Sequence, residues 1–351
     1  MQEQFLYVLI LPNPIELIKY LSYCIIKVKK RYAVQGSDTT MTPQRTKAGI
    51  KIINSDSFVV KLFLMIKSTI KTFLKKHFLI YKVRSRFTPT VQIAQRQLFL
   101  QYQHNFRNKQ PVNLQDTGFK VFSQYEEDGL LLFIFAVIGM QHKTFVDIGS
   151  NDGVSSNCAN FAINFNWHGL FIDCDKDAID IGKQFYKKYP DPWAYKPVFI
   201  CEKVSRENIN DIITGAGFEG KVDLLSIDID GNDYWIWDAI NIISPNVVVI
   251  EAKIEYGMND AVVPYNADYT HLKKNPLYNG ASPFAINKLA NRKGYRLVGA
   301  NAYGHNMIFL KKDLAEDYLP EITVESILNH PKTKESLKEF ELVKHFDFVK
   351  G

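Results

Sequence analysis

Four apolar runs in this chain each end on a carboxylate. They are Phe145-Val146 before Asp147, Leu170-Phe171-Ile172 before Asp173, Leu224-Leu225-Ser226-Ile227 before Asp228, and Val247-Val248-Val249-Ile250 before Glu251. A charge at the end of a buried run needs a partner, because burying it alone is costly. The first run leads into Asp147-Ile148-Gly149-Ser150-Asn151-Asp152-Gly153. Gly149 and Gly153 let the backbone turn sharply and approach a ligand. A dinucleotide loop has the spacing GxGxxG to cradle a pyrophosphate. Here the spacing is GxxxG, and Asp147 and Asp152 would repel a phosphate. The loop suits a cationic ligand instead, such as the ammonium and sulfonium of S-adenosylmethionine (SAM). Gly149, Ser150, Asn151 and Gly153, with Asp147, are therefore cofactor-binding candidates.

Asp173 lies twenty residues after Gly153. An acid there can accept hydrogen bonds from both hydroxyls of a ribose, and Asp175 is the spare candidate. Val204 through its backbone, or one of Ser205, Arg206, Glu207 and Asn208, could reach an adenine, although helix capping is their ordinary role. The densest acidic cluster is Asp228-Ile229-Asp230-Gly231-Asn232-Asp233. If the strand continues through it, alternation puts Asp228 and Asp230 on one side. Asp228 could hold the SAM ammonium. Asp228, Asp230 and Glu251 are the catalytic candidates, as acceptor-orienting groups or as the base that takes a proton. Asp228, Asp230 and Asp233 could also bind a divalent cation through oxygen. Capping of the next helix is the plainer role for Asp230 or Asp233.

These residues need strands to carry them and helices to cover the sheet. The pattern predicts helices over 124–140 (with Ser123 as N-cap), 155–166, 176–189, 207–214, 234–243 and 284–292. It predicts strands over 144–148, 169–173, 198–204, 222–228 and 247–251, and a closing pair over 295–300 and 306–310. Strands separated by helices imply a mostly parallel sheet covered on both faces. Ligands then sit beyond the carboxyl ends of the strands, where the acids fall.

The ordered set Ser123-Gln124-Tyr125-Glu126-Glu127-Asp128-Gly129, Val146-Asp147-Ile148-Gly149, Phe171-Ile172-Asp173 and Ser226-Ile227-Asp228-Ile229-Asp230-Gly231 resembles the FkbM-type SAM-dependent methyltransferases. Tyr295-Arg296-Leu297-Val298-Gly299 through Asn306 fits that group's closing strands. Two positions depart from it. Asp230 stands where many members have Glu, and Asp173-Cys174 where many have Glu-Pro. The resemblance covers about residues 117–315. It implies a Rossmann-like α/β methyltransferase sheet with an antiparallel terminal strand. It also implies methyl transfer from SAM to oxygen, often a sugar hydroxyl of a surface polysaccharide or a related metabolite. Asp230 or Glu251 would be the base, with His271 and His305 as outside candidates. An NAD(P)-dependent oxidoreductase on a similar sheet and a non-catalytic membrane-tethered protein are the rival readings.

The 351 residues are 46% hydrophobic and 23% charged, which is ordinary for a globular protein. Charge is unevenly distributed. Residues 1–110 hold nineteen Lys and Arg against four acids, a balance of +15, leaving −9 for the remainder of a chain whose net charge is +6. The expected organisation is an extension and linker over 1–57, a basic amphipathic helical segment over 58–114, the methyltransferase domain over 115–315 and a helical tail over 316–351. Lys67, Lys71 and Lys75 recur at helical spacing within 58–83, which suits either an anionic membrane surface or a solvated face. Residues 5–26 are too interrupted to span a membrane. The expected location is the cytoplasm, with a peripheral membrane contact through 58–83. The acidic domain argues against a nucleic-acid partner. Cys24, Cys158, Cys174 and Cys201 show no CxxC pairing and read as small buried hydrophobes.

Overall fold

Seven short runs rich in β-branched and aromatic residues form one sheet. They are β1 (Thr144–Ile148), β2 (His168–Asp173), β3 (Val198–Cys201), β4 (Gly220–Ile227), β5 (Ile243–Glu251), β6 (Tyr295–Ala300) and β7 (Asn306–Lys311). The strand order is β3-β2-β1-β4-β5-β7-β6. β1 to β5 pair in parallel, whereas β7 lies antiparallel to both β5 and β6. This is the expected Rossmann-like sheet, mostly parallel with an antiparallel terminal strand. The chain divides into two units, Met1–Leu62 and Phe63–Gly351. The computed structural model describes residues 70–71, 73–75, 78–189, 196–268 and 275–351, all in the second unit. The expectations for 1–57, for 58–69 and for His271 lie outside the described residues.

Alternation along the strands builds two cores. Val146, Ile148, Leu225, Ile227, Val248 and Ile250 pack on one face, beneath α5 (Ile209–Gly215), α6 (Asp233–Ala239) and α7 (Pro283–Arg292). Phe145, Phe171, Leu224, Val247 and Val249 face the other way, toward α2 (Glu127–Ile138), α3 (Ala159–Asn164) and α4 (Lys176–Lys188). α2 is buried from Glu127 to Val137, as a helix apolar on all sides must be. α1 (Pro89–Arg107) packs outside it, through contacts such as Tyr102 against Phe133. Leu79 and Val83, in the helical residues 78–83, are buried in the same core. Beyond residue 315, α8 (Val324–Ile327) and α9 (Pro331–Ser336) follow. Val324, Ile327 and Leu328 join the first core, and Val349 bridges Val262. No helix among the described residues is long and apolar enough to cross a membrane.

Several helices are shorter than the pattern predicts. α2 begins at Glu127 rather than 124, and Ser123 is not its N-cap. The buried Asp128 carboxylate accounts for this. Its Oδ2 accepts from the amides of Val121, Phe122 and Ser123 and from Ser123 Oγ, at 2.6–2.9 Å. The loop wraps around that oxygen before the helix can start. Similarly, 155–158 remain loop because Asp152 Oδ1 accepts from the amides of Val154 and Ser155. Cys158 is buried, but Cys174 and Cys201 are exposed, contrary to expectation, because they lie where β2 and β3 run out at the sheet edge.

Candidate active site

The β1–α3 loop is clamped to the end of β2. Gly149 N and Ser150 N both donate to Ile172 O, at 2.9 and 3.1 Å, and Asn151 N donates to Asp173 Oδ2 at 2.7 Å. Gly149 has φ +83°. A Cβ there would stand 1.7 Å from the Asp228 carbonyl oxygen. At Gly153, φ +64°, it would press on the rings of Phe199 and Phe171. Both glycines therefore serve close packing within the protein. Gly149 in particular lets β1 and β4 close together, with Asp228 N donating to Ile148 O at 2.9 Å.

Asp147 faces the α2–α4 side of the sheet. It is buried and accepts from Ser156 Oγ at 2.5 Å. Burial raises its carboxyl to about 6, against the opposing hydrogen bonds of Ser156, Ser226 and Cys158. Asp173 is half-buried, and its Oδ1 accepts from Asp175 N. Each Asp173 oxygen retains a lone pair for a further donor. Asp175, the spare candidate, caps α4 through the amides of Asp177 and Ala178. Ser205 and Asn208 exchange side-chain and backbone bonds before α5, and so fulfil the capping role.

At the end of β4 the structure departs from the sequence expectation. The strand stops at Ile227 and Asp230 adopts φ +58° in an exposed turn, so Asp228 and Asp230 do not share a strand face. Asp233 is buried and holds that turn: its Oδ1 accepts from Ile229 N and its Oδ2 from Gly231 N. The residues brought together are Asp228, Asp233 and Glu251, with one carboxylate oxygen of each within 4.8 Å of the others. Asp230 is not in that group, although its charge reaches it.

The electrostatics follow from this crowding. Burial, then the charges of Asp233, Asp230 and Asp147, push Asp228 up to about 8. Burial, then Asp228, Asp233 and Asp230, raise Glu251 well above the carboxylate range, with Lys253 opposing. Burial raises Asp233 to about 6, against its backbone hydrogen bonds. Like charges at this spacing disfavour ionisation. A bound cation would reverse the effect.

Sequence reading gave no role to three groups on the rim. Tyr125 and Tyr303 meet edge to face at 5.3 Å. Burial first, then the charges of Glu127, Tyr303, Glu126 and Glu251, raise the Tyr125 phenol. Glu127 is fully buried. Its Oε1 accepts from Asn301 and Asn306, at 3.0 and 2.7 Å, and its Oε2 from Tyr125 N, which ties the start of α2 to the β6–β7 turn. His305 is half-buried, and burial lowers its imidazole. A cavity of about 450 Å³ beside β6, walled by Leu114, Val298, Tyr318 and His330, includes none of the clustered carboxylates.

No family model and no curated protein matches the chain. Solved structures do. An O-methyltransferase from Bacillus cereus in complex with SAH is 14% identical over 62% of this chain and 91% of that one, with a TM-score of 0.36. A SAH-bound methyltransferase from Podospora anserina is 13% identical over 61% of this chain and 88% of that one, TM-score 0.36. An O-methyltransferase family protein from Burkholderia thailandensis is 12% identical over 54% of this chain and 59% of that one, TM-score 0.35. At these similarities the strand order itself carries the fold assignment.

Proposed function

We propose that this chain is a SAM-dependent methyltransferase of the FkbM type that transfers a methyl group to the oxygen of a sugar hydroxyl. The observation that carries the reading is the surplus of carboxylate at the strand ends. Asp228, Asp233 and Glu251 crowd together and raise one another, with Lys253 as the opposing cation. Such a pocket disfavours a phosphate-bearing dinucleotide and suits a ligand with two positive centres. The sheet also has β7 antiparallel between β5 and β6, whereas the dinucleotide order is 3-2-1-4-5-6 and open for a parallel sixth strand.

SAM fits the donor chemistry of this edge. Asp173 would hold the ribose, the 149–153 loop would lie along the donor, and Asp228 would face its ammonium. SAM supplies a methyl group already activated by its sulfonium. What the chain must add is alignment of the acceptor and removal of one proton. Glu251, at the tip of β5, is the group assigned to take the hydroxyl proton. Beside it, the faces of Tyr125 and Tyr303 offer an aromatic wall with polar tips, suited to a sugar ring's apolar face and its hydroxyls.

A second reading rests on the same three oxygens, which have the hard character that a divalent cation takes. Thermal melts separate these readings. SAM or its demethylated product at a hundredfold excess over Kd is expected to stabilise the fold by about 2.7 kcal/mol, with no shift from NAD. A shift with NAD and none with SAM would replace the proposal by the oxidoreductase reading. A shift with Mg²⁺ alone would assign the cluster to an ion.

A further inference from the structure

We infer that the outer surface of residues 78–107 docks on an anionic lipid bilayer. The first observation is charge. Residues 57–115 contain eleven Lys and Arg and no Asp or Glu. The second is exposure of apolar groups in the same stretch. Nine large hydrophobic side chains are exposed among the described residues, and five of them lie between 73 and 100. Tyr81 is 68% exposed, Ile93 58% and Leu100 63%. This is not poor packing of the helices. Leu79 and Val83 turn inward, at 6% and 2% exposure, and α1 rests on α2 through Tyr102 and Phe133.

Ile93 and Leu100 are seven residues apart and so share one face of α1. They line one groove with Asn164, whose Nδ2 donates to Arg86 O. The short turn Arg84–Arg86 therefore lies next to that groove, with exposed Lys82 and Arg84 beside it. Apolar side chains set among cations, with no carboxylate, match an interface of anionic headgroups over acyl chains. A water-facing surface needs no such apolar groups, and a protein partner for this acid-free surface would have to be acidic throughout. Lys75 Nζ also lies 3.9 Å from Asp152 Oδ2, so the basic helical segment reaches the β1–α3 loop.

The test uses the full chain and reads binding alone, independently of methyl transfer. Co-sedimentation is measured with vesicles of phosphatidylcholine, with and without phosphatidylserine. Binding is expected only with phosphatidylserine and should fall as salt rises. Lys82→Gln with Arg84→Gln should weaken it about 25-fold, at roughly fivefold per cation. Tyr81→Ser with Leu100→Ser should weaken it with an unchanged melting temperature. Equal binding to both vesicle types overturns the proposal. So does wild-type binding by both variants, which would place the contact in residues 1–69. Equally tight binding of a single-stranded oligonucleotide, lost in the same variants, would make the surface a nucleic-acid site.

Discussion

Glu251→Gln is expected to lower kcat roughly 10²- to 10⁴-fold while the acceptor KM changes little, the scale for loss of a positioned general base. Glu251 ends β5 and sits within 4.8 Å of Asp228 and Asp233, with its carboxyl raised by burial and by those neighbours. A raised carboxyl gains base character as pH climbs, so wild-type activity should rise with pH above the ordinary carboxylate range. That limb should vanish in the glutamine variant. Initial rates against pH with a methylatable saccharide measure both effects. Asp230→Asn is the control, because Asp230 is exposed in a left-handed turn outside the cluster. It is expected to cost only a few-fold. A loss at Asp230 matching that at Glu251 would move the base to the turn.

Gly149→Ala should be among the most damaging single substitutions in the domain. The new Cβ would lie 1.7 Å from the Asp228 carbonyl oxygen and 2.6 Å from its carbon, at φ +83°. Backbone cannot move aside as a flexible side chain can. Left-handed geometry alone costs about 1–2 kcal/mol. Parting β1 from β4 should bring the total to at least ~3 kcal/mol, with donor binding lost. Gly294→Ala separates the two contributions. Gly294 has φ +84° just past the end of α7 but nothing within 4 Å of its added Cβ, so only the backbone cost applies. Urea unfolding of both variants is the measurement. Equal losses would show that the close approach of Asp228 does not matter.

Much of this fold is legible in the chain because the strands are buried on both sides. Runs such as Val247 to Ile250 have no amphipathic ambiguity, and their terminal acids mark the sheet edge. The placement of Asp147, Asp173, Asp228 and Glu251 at strand ends follows from that alone. What sequence could not show depends on the turns. Extending β4 through Asp230 fails because Asp233 draws the amides of Ile229 and Gly231 into a turn, and alternation stops there. The Ser123 cap at 124 fails because the buried Asp128 carboxylate takes the Ser123 hydroxyl and the amides of 121–123, which holds these residues in a loop. The Glu127 network is invisible for another reason: its partners Asn301 and Asn306 are 174 and 179 residues away. Tyr125 and Tyr303 are equally distant in the chain, and neither carries a motif by which to pair them.

The central physical claim is that carboxylates at the tips of β1, β2, β4 and β5 receive a positively charged methyl donor. The most direct measurement is calorimetric titration of the purified chain with SAM near neutral pH, in buffers of different ionisation enthalpy. Burial and the neighbouring acids raise Asp228 to about 8, and raise Glu251 with it, so the free cluster favours holding a proton near pH 7. A cation arriving beside it lowers those values, so a proton should leave. The expected result is one saturable site with net proton release of up to about one per SAM. No saturable heat, or binding accompanied by proton uptake, would contradict the claim.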